Sequence, residues 1–459
     1  MVSVPSAEAK KPLLFFVSFP GEGHLNPVLR IASSMIQRGY DVAFLGSRGY
    51  QDRIRDAGAE FFDMKWDMAL AQAESMTAVV GLPPGPERLA VQLVHVFYKD
   101  LHKRVQALSD TLAHLRAREP KRQIICVEDV VNMGTMPFRY GRPLPAGFDE
   151  RPRSIGISPT PLMAQSRDTA PFMLGLPPDS TESGRRRNEA LNRLAIEGSL
   201  KPMTEAWTEA LRACGCSAEP SGNPFDAWYT VNDACFLLCS PSLEYHRSDL
   251  SASVQFAGCL PRKDTGASFE YPPWWPEVVG SGRGTGGEAR KVVFVSQGTV
   301  NNDWRQLLLP TLAALADRSD VIVVAALGYR GARLDEGVSV PSNARVSDYV
   351  PYDAILPHAD VFVSNAGYGA FCHAVMNGVP SVFAGQTEDK LEVSMRAEWA
   401  GFAHNLRTQT PTADELRDGV AKVLADARYK RRALELQREN EAMDCLSRIE
   451  RQIELLTEP

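Results

Sequence analysis

The stretch Pro20-Gly21-Glu22-Gly23-His24-Leu25-Asn26-Pro27 puts a histidine in a glycine-bearing turn directly after the apolar run LLFFVSF at residues 13–19. Imidazole is the side chain best suited to exchange a proton near neutral pH. At the mouth of a helix the free amides carry partial positive charge, which predicts that His24 stays neutral and ready to accept a proton. Pro27 is expected to fix the start of that helix. A histidine base works best with a carboxylate on its other nitrogen, which sets the tautomer and stabilises the imidazolium once formed. The stretch IICVEDVVNMG supplies two carboxylates at the end of an apolar run, Asp129 and its neighbour Glu128. Spacing does not choose between them, and an aspartate there also suits a helix cap.

A second turn suits an anion. From Val361 the chain reads VFVSNAGYGAFCHAVMNGVP, an apolar run meeting small residues and then a helical pattern ending at Gly378 and Pro380. Gly367, Gly369 and Ala370 fall where strand gives way to helix. Backbone amides are free at such a point and small residues let a phosphate approach them. The lysine of a Walker motif is absent, so a diphosphate would be held by the main chain. Nearby strand ends add Ser296-Gln297-Gly298-Thr299 and Glu388-Asp389-Lys390. Asp389 has the chemistry to accept hydrogen bonds from sugar hydroxyls or to cap a helix. Tyr349 has a ring that can stack on a base or pack.

The elements that must carry these residues read as two alternating series. After the run at 13–19, Leu25, Val28, Leu29, Ala32, Met35 and Ile36 recur at helical spacing, Gly39 stops the helix, and residues 42–45 form the next strand. That βαβ unit implies a parallel sheet, which apolar runs at 124–127, 155–157 and 236–238 extend. Residues 158–230 are less periodic. Clustered Pro and Gly at 263–290 mark a linker, although Trp274 and Trp275 favour some packing there. A second series follows, with strands at 292–296, 321–327, 361–364 and 381–383. Thr412 and Glu415 form a capping box. Leu446, Ile449, Ile453 and Leu456 give a final helix an apolar stripe that must dock. The expected division is 1–262, a linker at 263–290, 291–440, and a helix at 441–459 returning to the first half. Ligands of such sheets bind at the carboxyl ends of strands, where both turns lie.

The bulk properties fit this plan. With 459 residues the chain exceeds one ordinary core. A net charge of -6 argues weakly against a nucleic-acid binder, which usually carries a basic face. The densest basic run, Arg185-Arg186-Arg187, reads as a solvated loop. Eight cysteines without zinc spacing suggest idle thiols, and no N-x-S/T sequon occurs. A cytoplasmic chain is expected. Lys10-Lys11 before an apolar run faintly suggests a signal peptide, but a buried first strand explains the run better. No run reaches the length of a transmembrane helix.

Together these motifs resemble family 1 glycosyltransferases, the UDP-sugar enzymes of the two-domain GT-B fold, and most of all their fungal and bacterial small-molecule and macrolide-type branch. PGEGHLNP resembles the acceptor-domain motif, VVFVSQGTVNN the start of the donor domain, and VPYDAILPHADVFVSNAGYGAFCHAVMNGVPSVFAGQTEDK the donor signature. The resemblance implies an α/β fold of two Rossmann-like parallel-sheet domains facing each other across a cleft, the first for the acceptor and the second for the nucleotide sugar. It implies His24 as general base and Asp129 as its partner. It places Thr299, Gly367, Gly369 and Ala370 at the diphosphate, Tyr349 where relatives stack a tryptophan on uracil, and Asp389 on the sugar hydroxyls. Asn365 stands where plant relatives have a histidine, His373 where they have a ribose-binding glutamate, and Lys390 where they have a glutamine. SPTPLMAQSRDTAPFMLGLPP resembles the acceptor-side loop of the branch. Trp66, Met68, Phe172, Met173 and Leu174 are the candidate acceptor lining, which favours a small hydrophobic hydroxylated molecule.

The implied reaction is metal-free, inverting transfer from a UDP-sugar, by resemblance UDP-glucose, with no further cofactor and no implied oligomeric state. A UDP-sugar epimerase or another nucleotide-sugar enzyme of the same fold is one alternative, and a non-catalytic sugar-nucleotide binder is one of another class. An NAD-dependent oxidoreductase using Gly21-x-Gly23 lacks the third glycine of its fingerprint.

Overall fold

The computed structural model describes residues 10–66, 68–82, 85–264, 269–280, 290–298 and 303–457. Two sheets dominate, and every strand pairing in both is parallel. The first contains β1 (Leu13–Val17), β2 (Val42–Gly46), β3 (Glu60–Asp63), β4 (Ile124–Asp129), β5 (Arg153–Ser158), β6 (Ala234–Leu237) and β7 (Val254–Phe256). The second contains β8 (Lys291–Ser296), β9 (Val321–Ala326), β10 (Ala344–Ser347), β11 (Val361–Ser364), β12 (Ser381–Phe383) and β13 (Ala403–Asn405). The strand orders are β3-β2-β1-β4-β5-β6-β7 and β10-β9-β8-β11-β12-β13.

The order reverses between β1 and β4 in the first sheet and between β8 and β11 in the second. At such a reversal the crossover helices diverge to opposite faces and open a crevice beyond the strand ends. The central strands are buried on both faces, as their unbroken apolar runs require. One apolar cluster includes Phe15 and Val17 of the first sheet with Phe294 and Phe362 of the second. The far face of the first sheet is covered by the helix Glu22–Gln37 and, from the other end of the chain, by the helix Cys445–Leu456. Ile449 and Ile453 of that last helix are fully buried. It is tied down by Arg38, which bonds Glu450 and donates to Ser447 at 3.2 Å, and by Gln123, which donates to the Leu456 carbonyl at 2.8 Å.

Three local expectations change. The first helix starts at Glu22 after the extended Gly21, and Pro27 lies inside it rather than at its first position. Arg185-Arg186-Arg187 is not a loop but part of the helix Glu182–Glu197. Thr181 caps that helix, and Arg185 pairs with Asp168 at 2.7 Å while Arg186 pairs with Glu182 at 2.5 Å. Asp129 is the last residue of β4 rather than a residue beyond it. Within 263–290, residues 275–280 form a helix whose Val278 is buried and whose Glu277 pairs with Arg345 at 2.6 Å. The capping box at Thr412 and Glu415 is formed.

Candidate functional site

Parallel register aligns the two strand ends that matter in the first sheet. Val17 sits opposite Glu128, so the turns after β1 and β4 emerge side by side. Adjacent strand residues point to opposite faces, and this separates the two carboxylates. Glu128 turns to Thr135, accepting from its amide at 3.2 Å and from its hydroxyl. Asp129, fully buried, lies with Oδ2 2.8 Å from Nδ1 of His24. The atoms are close but not aligned as a well-formed hydrogen bond. Nδ1 is sealed from solvent while the side chain is 22% exposed, so the accessible part of the ring lies away from Asp129. Phe19 braces the ring edge-on at 5.7 Å.

Burial lowers the His24 pKa, but the Asp129 charge and contact outweigh it, with a smaller push from Asp389, and the net shift is upward. The expectation of a ring held neutral by the helix mouth is therefore corrected. A buried full charge at 2.8 Å exceeds the partial charge of helix amides.

In the second sheet Ser364 is opposite both Ser296 and Phe383, so three strand ends converge. Asn365 stitches two of them by donating to the Gln297 carbonyl at 2.7 Å. Its amide is thus engaged with the main chain. Ala366 adopts a left-handed φ of 62°, a strained choice for a residue with a Cβ, and it turns the chain into the helix Tyr368–Met376. A Cβ added at Gly367 or Gly369 would meet nothing within 4 Å, so these glycines leave the amides bare toward open space. Ala370 follows in the first turn.

Asp389 occupies the cap position of the helix Lys390–Ala400, yet its side chain makes no cap bond. Burial raises its pKa to about 6, and the strongest opposing pull is the charge of His24. The two sheets therefore bring these groups within electrostatic reach of each other. Burial lowers Lys390 to about 8, with Nζ against Glu388 and 3.3 Å from Thr387 Oγ1.

His373 Nδ1 lies 2.8 Å from Asp353, which also accepts from Asn377 at 3.0 Å and from the Lys263 amide at 2.7 Å. Burial opposes ionisation of Asp353, but the His373 bond and charge bring its pKa below the ordinary value. The Tyr349 ring has the Arg330 guanidinium 5.2 Å from its centre. Thr299 lies outside the described residues.

The acceptor candidates have different surroundings. Trp66 is buried, donates to Asp100 at 3.1 Å and packs on Phe19 at 5.5 Å. Met68 borders the turn itself: a Cβ on Gly21 would lie 3.8 Å from its sulfur and 3.5 Å from the His24 ring. Phe172 packs on Phe225 at 6.4 Å. Met173 and Leu174 reach the second half, where the Met173 amide donates to Glu392 at 2.8 Å, and Leu174 is exposed.

Rings that the sequence does not single out join these points. Phe19 contacts Phe97 at 4.9 Å, Phe97 contacts Trp228 at 5.6 Å, and Trp228 contacts Phe225 at 5.1 Å. Phe97 lies in a π-helical turn, Val94–Tyr98, a distortion frequent at functional sites. A lone aromatic in a helical run carries no mark of this.

Two doubly wound sheets, with paired turns at both reversal points, define the GT-B class of α/β enzyme. The family model described as "Erythromycin biosynthesis protein CIII-like, C-terminal domain" matches residues 310–456. UDP-glucosyltransferase 1 of Beauveria bassiana is 39% identical over 95% of this chain and 93% of its own length. UDP-glycosyltransferase 2 of Phaeomoniella chlamydospora is 35% identical over 96% and 95%. Among solved structures, the glycotransferase of kitacinnamycin superposes with a TM-score of 0.69 at 23% identity, covering 98% of this chain and 100% of that one, and supports the fold. The chain belongs to the family 1 UDP-dependent glycosyltransferases, in their fungal and bacterial macrolide-type branch. It is an enzyme of sugar transfer. Among the described residues no helix is long and apolar enough to cross a membrane.

Proposed function

We propose that the protein transfers glucose from UDP-glucose to a hydroxyl of a small hydrophobic acceptor of phenolic or flavonoid type, with inversion, in the cytoplasm. His24 takes the acceptor proton at the nitrogen turned away from Asp129, and the Asp129 carboxylate steadies the imidazolium. The acceptor oxygen attacks the anomeric carbon as UDP leaves from the opposite face. Asp389 holds sugar hydroxyls. Negative charge growing on UDP is met by the bare amides at 367–370 and the positive end of that helix, with Lys390 close by. No metal is required in this scheme. Residues 1–262 serve the acceptor and 291–440 the donor.

The observation that carries this reading is that His24, seated 2.8 Å from Asp129 in one half, lies within electrostatic reach of Asp389 in the other. A sugar bound at Asp389 would present its anomeric carbon toward the base. The names of the relatives support UDP-glucose as the donor. The chain of tilted and edge-on aromatic rings beside His24 supports an aromatic acceptor.

The test is His24→Ala with UDP-glucose and a panel of phenols. UDP binding by calorimetry should persist while transfer falls by roughly 100- to 10,000-fold. The wild-type rate should survive excess EDTA. Transfer by the variant at wild-type rate would remove His24 from its role, and strict dependence on added Mg²⁺ would remove the metal-free scheme.

A further inference from the structure

On the acceptor side the two halves meet through buried charges. Arg396, in the helix that begins after Asp389, donates Nε to both carboxylate oxygens of Glu244 at 2.8 Å. It donates one terminal nitrogen to Glu392 Oε2 at 2.7 Å and the other to the Leu162 carbonyl at 3.2 Å. Arg247 adds bonds to the Ala164 and Leu162 carbonyls at 3.0 and 2.9 Å. Glu244, Glu392 and Arg396 are each 4% exposed or less. Buried ion clusters seldom stabilise a fold more than apolar packing would, so they are better explained by the arrangement they enforce.

The free oxygen of Glu392 shows what is arranged. Oε1 accepts from the Met173 amide at 2.8 Å and the Gly175 amide at 3.0 Å. Both residues are left-handed, with φ of 82° and 59°, and the first has no glycine to relieve the strain. Gly175 also approaches Leu391 so closely that a Cβ would come within 3.0 Å of it.

We propose that Glu392 is a positioning residue for transfer. One of its oxygens grips the 173–175 loop and the other is anchored by Arg396, so the acceptor-side loop and the helix headed by Asp389 move as one body. This rests on the reading of Asp389 as the acid that holds the sugar. With the grip lost, the donor still binds but the acceptor oxygen is misplaced, and water replaces it at the anomeric carbon.

The experiment compares full-length wild type, Glu392→Ala, Glu392→Gln and Gly175→Ala, with UDP-glucose and 4-methylumbelliferone as probes. Glu392→Ala should speed amide hydrogen exchange at Met173 and Gly175 and leave UDP binding unchanged. It should raise the acceptor KM and cut transfer kcat/KM by roughly 10- to 100-fold, the worth of bonds to a charged group. UDP-glucose hydrolysis should persist, so its ratio to transfer rises. Glu392→Gln keeps an oxygen for the two amides but sets its NH2 against the Arg396 guanidinium, so its transfer should fall between wild type and Glu392→Ala. Gly175→Ala spares the ionic cluster and should reproduce the loss. Unchanged exchange at 173 and 175, or normal transfer by Gly175→Ala, overturns the proposal. So does a proportional fall of UDP binding, hydrolysis and transfer in Glu392→Ala. No glucose transfer by the wild type overturns the functional reading instead, while the exchange result still judges the grip.

Discussion

At His24, burial alone would favour the neutral ring, and the Asp129 carboxylate reverses that preference. The pH consequence has two signs. A histidine whose folded pKa is raised above 6.5 adds stability that is full below that value and fades as pH climbs through the folded pKa. In the proposed scheme His24 must be deprotonated to act as base, so transfer should appear over the interval in which that stabilisation is lost. Asp129→Asn keeps the size of the side chain and removes its charge. Its kcat/KM should fall by roughly 100- to 10,000-fold, and the acid limb of its pH profile should move to lower pH. A limb that stays in place in the variant would assign the titration to another group. Only half of this dyad was legible in the sequence. The type and turn of His24 marked it, but Asp129 and Glu128 are indistinguishable until the sheet faces are known. Glu128, pushed up to about 7 by burial against the weaker pull of its Thr135 bonds, is turned away to hold the loop that follows β4.

Among the elements, the helix Tyr368–Met376 offers a test that separates folding from binding. Gly369 sits in its first turn, and a Cβ there meets open space. Gly369→Ala should therefore stabilise the fold by about 0.5–1 kcal/mol through helix propensity. The added methyl stands between the amides and an arriving diphosphate, so UDP binding should weaken by roughly tenfold. Calorimetric melting and UDP titration of one sample measure both. A variant with a raised melting temperature and unaltered UDP affinity would move the diphosphate elsewhere. The long central strands were readable because burial on both faces leaves unbroken apolar runs, as in KVVFVS and VIVVAA. The strands β3, β7, β10 and β13 are the four sheet edges, only partly buried, so they lack unbroken apolar runs and were not readable. The grip of Glu392 was equally silent, since it joins residues 219 apart in the chain.

Across the whole molecule, the chain passes from the first half to the second and then returns. Just after β7 it runs beside the start of its return: the Cys259 amide donates to Asn440 at 2.9 Å, and a Cβ on Gly258 would collide with Met443 at 2.9 Å. Two covalent crossings laid side by side act like the pin of a door. They permit swinging about one axis and resist shearing or twisting of one half on the other. Spin labels at the rims of the crevice should therefore change separation when UDP binds, while labels flanking Gly258 and Met443 should keep theirs. Equal displacement at both places would mean that the halves slide. If they swing, the distance from the imidazole to the anomeric carbon is governed by a single angle, and that angle is set far from the reacting atoms.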